Sequence, residues 1–216
     1  MDVDRKTEIA QNLKKVQSEI PSHVHLIAVT KTFPLSDAQI LAELGVKEFG
    51  ENRDQEGKEK APFVQGKWHF QGQLQSNKLK SICKWADVIQ TIDSTRYVEL
   101  VSKAAPKELE VFIQVSLDGE LHRGGALPED LTKIADAILA TGNLKLQGLM
   151  AVAPLNEEAE SAFARLAKIH TLFKDNYPES PYLSAGMSGD YLQAISYGAT
   201  HIRIGSSILG SRPPIL

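Results

Sequence analysis

The sequence has a single cysteine, no long apolar run and no excess of basic residues. Cys83 is the only cysteine among 216 residues, which excludes an internal disulfide and a zinc site made of several thiolates. No apolar run approaches the roughly 20 residues that cross a bilayer. The 24 basic and 27 acidic residues give a net charge of −3, so there is no basic excess to favour nucleic acid or an anionic membrane.

The apolar content is nevertheless that of an ordinary globular protein. At 42 %, it is enough for a substantial core and excludes an intrinsically disordered chain. The first 20 residues are charged throughout and contain no apolar signal-peptide core. We therefore expect a soluble, cytoplasmic protein in which residues 1–216 form one domain.

Short apolar runs alternate with helical patterns along the chain. A first helix, with Ile9, Leu13, Val16 and Ile20 on one face, precedes about eight strand–helix units. Strands that alternate with helices pair in parallel, so this number of units predicts an α/β fold, a single TIM (β/α)8 barrel with an extra N-terminal helix. A doubly wound open sheet is the alternative, but the glycine-rich loop usual after its first strand is absent from TKTFPLS, residues 30–36. The predicted strands cover residues 25–30, 47–50, 67–72, 87–92, 110–116, 145–152, 182–184 and 200–205.

Several helix boundaries are predicted from side chains that favour caps. Ser36 is expected to cap the second helix, and Ser188 to open the helix that ends near Tyr197. Leu139 is expected on the buried face of the helix that begins at Pro128.

Lys31 stands at the end of the first predicted strand. It shares a face with Ile27 and Val29, because alternate side chains of a strand point the same way. If these two point inward, Lys31 lies at the C-terminal mouth, where TIM barrels have their active sites. A desolvated amine there reacts as a nucleophile towards an aldehyde. The alternative is a lysine that extends its ammonium into water.

Arg203 is the second charged residue predicted to point into the barrel. It lies between Ile202 and Ile204, whose side chains suit the helix-covered outer face of the last strand. A buried guanidinium needs an acceptor or an anion. A structural carboxylate such as Glu51 is the alternative partner.

Glycine–serine segments follow the last two strands. Barrel phosphate sites recur at this place, where free N–H groups at a helix N-terminus favour an anion. We therefore predict a phosphate site at Ser188, Gly205 and Ser206. The alternative for each serine is a plain helix cap.

The histidines and the cysteine indicate no further site. His69 could contact a ligand, or it could be a hydrogen-bonded core residue. Cys83 has no neighbours in the sequence that would make it a nucleophile. The other histidines show no metal-ligand spacing and are expected to be structural or exposed: His23, His25, His122, His170 and His201.

A lysine amine, phosphate-binding loops and an inward arginine together indicate an aldehyde that carries a phosphate. Pyridoxal 5′-phosphate (PLP) fits, with Lys31 as the Schiff-base lysine and Arg203 at the pyridine nitrogen. A sugar-phosphate aldolase is the weaker alternative, because its lysine needs an acid–base partner that the sequence does not show.

Six segments carry a resemblance that spans nearly the whole chain: IAVTKTFP (27–34), FGENRDQE (49–56), WHFQGQLQSNK (68–78), LQGLMAVAP (146–154), GMSGDYLQAI (186–195) and RIGSSILG (203–210). They resemble the YggS/PROSC-like pyridoxal phosphate homeostasis proteins. The resemblance implies an alanine-racemase-like barrel without the racemase's β-rich domain. It also implies that Lys31 forms an aldimine with PLP, with Asn52 close by. Ser188, Gly205 and Ser206 would bind phosphate, and Arg203 would face the pyridine nitrogen.

The resemblance further implies a role in vitamin B6 and amino-acid homeostasis without an established reaction. PLP-requiring apo-enzymes are the candidate recipients, and we expect a monomer. The rival is a PLP-dependent amino-acid racemase or lyase. A racemase needs a second acid–base group from an added domain or a neighbouring subunit, and we expect no such domain in a chain that ends at Leu216. The sequence departs from the family at Leu209, where phenylalanine is frequent, and in the loop 118–125.

Overall fold

The computed structural model describes residues 4–120 and 124–211, and within these ranges eight parallel strands close into a barrel. The strands are β1 (His25–Val29), β2 (Glu48–Glu51), β3 (Lys67–Phe70), β4 (Val88–Ile92), β5 (Leu109–Val115), β6 (Leu144–Ala151), β7 (Tyr182–Met187) and β8 (His201–Ile204). The helices are α1 (Arg5–Glu19), α2 (Leu35–Glu43), α3 (Asp54–Lys60), α4 (Leu79–Trp85), α5 (Thr95–Ala104), α6 (Leu131–Leu139), α7 (Ala159–Asn176), α8 (Tyr191–Ser196) and α9 (Ser206–Leu209).

Closure of the barrel confirms the predicted TIM fold with its extra N-terminal helix. β1 pairs in parallel with both β2 and β8, and His25 is the register partner of His201. The outward faces of the strands meet the helices in one apolar core that includes Phe49, Trp68 and Phe163. None of the described helices is both long and apolar enough to span a membrane.

Helix α1 joins the beginning of the barrel to its end. Ile9, Leu13 and Val16 are buried, as the sequence predicts, whereas Ile20 lies just beyond the helix in an extended conformation. Arg5 Nη2 donates to Asp37 Oδ2 in α2 at 2.6 Å and to the carbonyl oxygen of Leu209 in α9 at 2.9 Å. One guanidinium therefore connects α1 with the first and the last helices of the barrel.

Two of the predicted helix starts are wrong, because neither serine is the N-cap of the helix that it was expected to open. Ser36 lies inside α2, whose N-cap is Pro34, and its side chain makes no capping hydrogen bond. Ser188 does not open a helix either, because β7 continues to Met187 and α8 begins only at Tyr191. Residues 188–190 instead form a turn, which Asp190 closes by accepting from the Met187 N–H at 2.6 Å.

The predicted burial of Leu139 is also wrong. Its side chain is 57 % exposed, although Ile134 and Ile138 of the same helix are buried. One residue beyond Ile138 turns a helix by about 100°, which carries Leu139 past the edge of the apolar stripe.

Candidate functional site

A cavity of about 250 Å³ lies at the C-terminal mouth of the barrel. All six of the site residues selected from the sequence line it: Lys31, Asn52, Ser188, Arg203, Gly205 and Ser206. They come from the segments that follow β1, β2 and β7, and from β8 and its following turn. The parallel strands bring these segments to one mouth because their C-terminal ends all lie at the same side of the barrel.

Lys31 reaches the cavity because β1 has the predicted orientation. Ile27 and Val29 are buried, and Val29 lines the cavity together with Lys31. Lys31 follows two residues after the end of the strand, so its side chain continues on the inward side.

A buried ammonium supports the backbone just before Lys31. Lys60 of α3 donates to the carbonyl oxygen of Thr30 at 2.8 Å and to Glu51 Oε1 at 2.7 Å. The Thr30 hydroxyl also donates to Glu51 Oε1. Burial raises the pKa of Glu51, against the opposing effect of Lys60. The residue before Lys31 is thus tied to both β2 and α3.

The residue after Lys31 is held as well. Thr32 has a φ of 69°, a left-handed conformation that is uncommon for a β-branched residue. Its N–H donates to Glu56 Oε2 at 2.6 Å, and the same oxygen lies 3.3 Å from Lys60 Nζ. Lys31 therefore projects from a short segment that is fixed on both sides.

Arg203 points into the barrel, as predicted, but its expected alternative partner is wrong. It donates to Ser184 Oγ and to the carbonyl oxygen of Ala151, both at 2.9 Å. Glu51 pairs with Lys60 instead. Among the described residues no carboxylate contacts the guanidinium. Burial lowers the pKa of Arg203 to about 10, which leaves it charged at neutral pH beside the cavity.

A chain of hydrogen bonds runs from Arg203 through the barrel interior to the opposite mouth. Ser184 donates to Gln90 Oε1 at 2.7 Å, and Gln90 Nε2 donates to His69 Nδ1 at 2.9 Å. His69 must then carry its proton on Nε2, which lies 3.1 Å from Glu48 Oε2. His69 is therefore a hydrogen-bonded core residue, the second of the two interpretations drawn from the sequence.

This chain ends in a carboxylate that stays ionised. Burial opposes ionisation of Glu48, but hydrogen bonds from His69 and His25 lower its pKa to about 2. Burial lowers the pKa of His69, so the imidazole is neutral at pH 7. Every donor in the chain points away from Arg203 and towards Glu48.

Ser188 caps the short helix α9 rather than the helix that follows it in sequence. Its Oγ accepts from the N–H groups of Gly205 and Ser207, at 3.3 and 3.2 Å. These backbone donors and the hydroxyl lie together at the cavity wall. The predicted meeting of the two glycine–serine segments is thus present, with the capping role assigned to a different helix.

Gln71 lines the cavity but is not among the six site residues predicted from the sequence. Its Nε2 is buried and has no hydrogen-bond partner within the described parts of the chain. A Cβ on Gly50 would lie 2.8 Å from this nitrogen, so a glycine there leaves room for the amide. The signal was present, since Gln71 shares the inward face of His69 at the end of β3.

A larger groove of about 820 Å³ lies outside the barrel, between α3 and α4. Trp68, Trp85 and three lysines line it, away from the ends of the strands. Cys83 of α4 is buried, and burial raises the pKa of its thiol to about 11. The thiolate required of a nucleophile is therefore scarce at neutral pH. The smaller cavity, where the predicted site residues meet at the ends of the strands, is the candidate site.

The two departures from the family's motifs, at Leu209 and in the loop 118–125, are not among the described residues that line the cavity. Leu209 is buried in α9. The loop 118–125 is described only in part, because residues 121–123, and with them His122, lie outside the described residues. Ser116 and Asp118 begin that loop beside a second, small cavity of about 190 Å³.

Comparison with known proteins gives matches over nearly the whole chain. Residues 5–213 match the family model described as the alanine racemase N-terminal domain. The pyridoxal phosphate homeostasis protein of Corynebacterium glutamicum is 39 % identical over 201 residues, covering 88 % of this chain and 91 % of that protein. The protein of the same name from Pseudomonas aeruginosa is 34 % identical, covering 94 % and 96 %.

Solved structures agree with these matches. PipY of Synechococcus elongatus, solved with PLP bound, superposes with a TM-score of 0.85 at 31 % identity, covering 94 % of this chain and 100 % of that one. An alanine racemase from Clostridium difficile superposes with a TM-score of 0.81 at 14 % identity, covering 95 % of this chain and 60 % of that one. At that identity the racemase indicates a shared fold and nothing more.

Proposed function

Because the chain belongs to the family of the alanine racemase N-terminal domain, we propose that it binds PLP and serves vitamin B6 and amino-acid homeostasis. The resemblance carried by the six sequence segments is confirmed. One observation carries the proposal: an amine, a buried guanidinium and backbone N–H donors meet at a single cavity. The names of the curated relatives and the PLP bound to PipY support it.

The chemistry of the cavity fits a phosphorylated aldehyde with a ring nitrogen. Arg203 is a buried cation with no carboxylate contact in the described structure, and Gln71 offers a donor without a partner. The amide of Gln71 needs an acceptor, because a buried polar group without one is costly, and the charge of Arg203 favours an electron-rich group beside it. A Cβ on Gly205 would lie 3.2 Å from the carbonyl oxygen of Val29, so a larger residue there would require the end of β1 to shift by a few tenths of an ångström.

The residues divide into three roles. Lys31 supplies the amine that would bond covalently to the aldehyde carbon, and its fixed flanks hold that amine at the cavity. Ser188, Gly205 and Ser206 supply donors for the phosphate at the start of α9. Arg203 faces the ring nitrogen, and Asn52 lines the wall nearby.

When bound, PLP supplies an aldehyde that condenses with amines and a ring that withdraws electrons. Arg203 governs the protonation of that ring. With a pKa of about 10 it keeps its protons at neutral pH, so it donates a hydrogen bond and cannot accept one. A carboxylate in its place would stabilise a proton on the ring nitrogen. The proposed role is therefore to hold the cofactor, without robust turnover.

The same proposal covers the setting of the protein. We place it in the cytoplasm as a monomer that passes PLP to apo-enzymes that require it. The open position of the cavity at the mouth of the barrel supports transfer, because Lys31 and Asn52 are only half-buried.

Covalent trapping tests the proposal. The chain is loaded with PLP, reduced with borohydride and digested, and the peptides are weighed by mass spectrometry. The added mass should lie on the peptide that contains Lys31, and Lys31→Ala should lose it while keeping its fold. The matched variant Lys58→Ala, which removes an exposed lysine from α3, should retain the label. A label that persists in Lys31→Ala, or that never forms, would overturn the assignment.

A further inference from the structure

The N-terminal mouth of the barrel carries a cluster that the proposed function does not use. His25, Glu48 and His201 each offer one ligand atom, and the three atoms lie within 4.8 Å of one another. The three residues stand on β1, β2 and β8, and β1 lies beside β8 only because the barrel closes. Spacing along the sequence could not show this cluster for the same reason.

Hydrogen bonds from other residues already orient two of the three side chains. His69 donates to Glu48 Oε2, while Glu48 Oε1 lies 2.7 Å from His25 Nδ1. Nδ1 of His201 lies 2.9 Å from the Thr200 hydroxyl, so Nε2 is the nitrogen of that ring left for a ligand. Outer hydrogen bonds of this kind fix the orientation of metal ligands and raise affinity.

The two imidazole rings differ in how firmly they are placed. They stack with centroids 4.3 Å apart and an angle of 8° between the rings. Phe112 and Tyr182 both pack edge-on against His201, which is buried. His25 has 46 % of its side chain exposed, so it can turn from the stack towards a shared ion. His201 is therefore held in place by its packing, whereas His25 is free to adjust and opens the cluster to solvent.

We propose that this mouth binds one divalent transition-metal ion of the zinc class through His25, Glu48 and His201, with water in the remaining position. Two imidazoles and a carboxylate form a frequent zinc donor set with an open position. Imidazole nitrogen selects zinc, cobalt, nickel and copper over magnesium and calcium, which take oxygen ligands. The single carboxylate supplies charge of the sign that a cation needs.

Titration of the full chain, without an affinity tag, tests the proposal. Co²⁺ is followed by visible absorption and Zn²⁺ by calorimetry. Wild-type protein should bind one ion per chain, whereas Mg²⁺ should give no saturable signal. His25→Ala and Glu48→Gln should each weaken binding at least about tenfold, the usual effect of losing a ligand or its support. His23→Ala, which removes an exposed histidine two residues away, should leave the affinity unchanged.

A thermal shift in the presence of Zn²⁺ gives an independent readout, because a ligand that binds only the folded chain raises its melting temperature. The rise should occur in wild-type protein and in His23→Ala, and should be smaller in His25→Ala. The proposal is wrong if no ion binds saturably, if His25→Ala binds as tightly as wild type, or if His23→Ala loses the ion.

Discussion

The ammonium of Lys60 is buried next to Thr30, the residue that precedes Lys31 of the cavity. It contacts the Thr30 carbonyl, Glu51 and Glu56, and only 5 % of its side chain is exposed. Glu51 is fully buried, and its Oε2 has no hydrogen-bond partner among the described residues. The carboxylate therefore depends on Lys60 for its compensation, and Lys31 depends on both for its position.

Replacing Lys60 by methionine tests this dependence. Lys60→Met leaves a buried carboxylate without its cation, which costs about 3–5 kcal/mol of unfolding free energy. Denaturation in urea measures the loss. Lys58→Met, at an exposed position of the same helix, should change stability by less than about 0.5 kcal/mol. Adding Glu51→Leu to Lys60→Met should recover part of the loss, and equal losses in the two single variants would contradict the argument.

His170 of α7 gives the protein a predictable dependence on pH. Burial lowers its pKa, with a further lowering by Lys174, and its Nε2 has no partner in the described structure. The unfolded chain, with a histidine pKa of about 6.5, takes up the proton more readily than the folded chain. Stability therefore falls as the pH falls through about 6.5.

A histidine substitution isolates this contribution. Between about pH 7.5 and pH 5, His170→Leu should lose less unfolding free energy than wild type, because the proton uptake on unfolding is removed. His23→Leu, which removes an exposed histidine, should keep the wild-type slope. Urea denaturation at a series of pH values measures the slopes, and the same slope in His170→Leu and wild type would refute the assignment.

The sequence pattern predicted the directions of side chains better than it predicted their hydrogen-bond partners. Alternation along β1 and β8 placed Lys31 and Arg203 at the inward face, because a strand fixes which way its side chains point. The partners of Arg203 come from β6 and β7, so only the closed barrel brings Ser184 and Ala151 to it. Gln71 was overlooked because an amide signals chemistry less clearly than a charge.

At the scale of the element, helix ends were the least predictable feature. A serine before an apolar stripe favours a cap, yet Ser36 lies one residue inside α2 and Ser188 caps a helix 18 residues further on. Pro34 opens α2 through its backbone conformation, and the loop contact between Ser188 and α9 is tertiary. By contrast, Gly45 follows the C-cap of α2 with a φ of 91°, the left-handed conformation in which glycine commonly ends a helix.

The proposed phosphate site at the start of α9 yields a prediction about ligand choice. Pyridoxal without its phosphate should bind far more weakly than PLP, because the Ser188 hydroxyl and the N-terminal end of α9, which line the cavity, would lose their anion. Ser188→Ala should weaken PLP by roughly 1.5–3 kcal/mol, the range for a hydrogen bond to a charged group. Ser36→Ala, an exposed serine that caps nothing, is the matched control.

Fluorescence titration with both ligands measures these affinities. Wild type and Ser36→Ala should discriminate strongly between PLP and pyridoxal, and Ser188→Ala should discriminate less. Equal affinity for the two ligands in wild type would show that the start of α9 binds no phosphate.

For the molecule as a whole, Arg5 is the residue that joins the two ends of the barrel. Its hydrogen bonds to Asp37 and to Leu209 connect α1 with α2 and α9. Asp37 is nearly fully buried, so removal of the guanidinium would leave a buried carboxylate unpaired. About a third of the Arg5 side chain is exposed, which weakens its contacts by solvent screening.

Comparison of two neighbouring cations measures this connection. Arg5→Ala should lose about 1–2 kcal/mol of unfolding free energy, reduced from the usual range for charged hydrogen bonds by its exposure. Lys6→Ala removes an ion pair with Glu43 whose partners are both more than half exposed, and should have little effect. Urea denaturation of both variants decides, and a larger loss in Lys6→Ala would contradict the role given to Arg5.

The overall architecture was predictable because it repeats. The pattern of a strand followed by a helix recurs about eight times along the sequence. An error at one helix or strand boundary therefore changes neither the predicted number of strands nor their parallel arrangement. The contents of the barrel interior were not predictable in the same way. His25 and His201 become neighbours only when the first strand meets the last.

The bonded path from Arg203 to Glu48 gives the barrel a direction along its axis. A guanidinium cannot accept and an ionised carboxylate cannot donate, so only one arrangement of hydrogen atoms satisfies every link. A reversed Gln90 amide would set its oxygen against the lone pair on His69 Nδ1, because the proton of that ring is on Nε2, facing Glu48. The eight similar units thus enclose an interior that is polar along its axis, with a cation at one end and a carboxylate at the other. Each hydrogen bond in the path fixes the donor direction of the next.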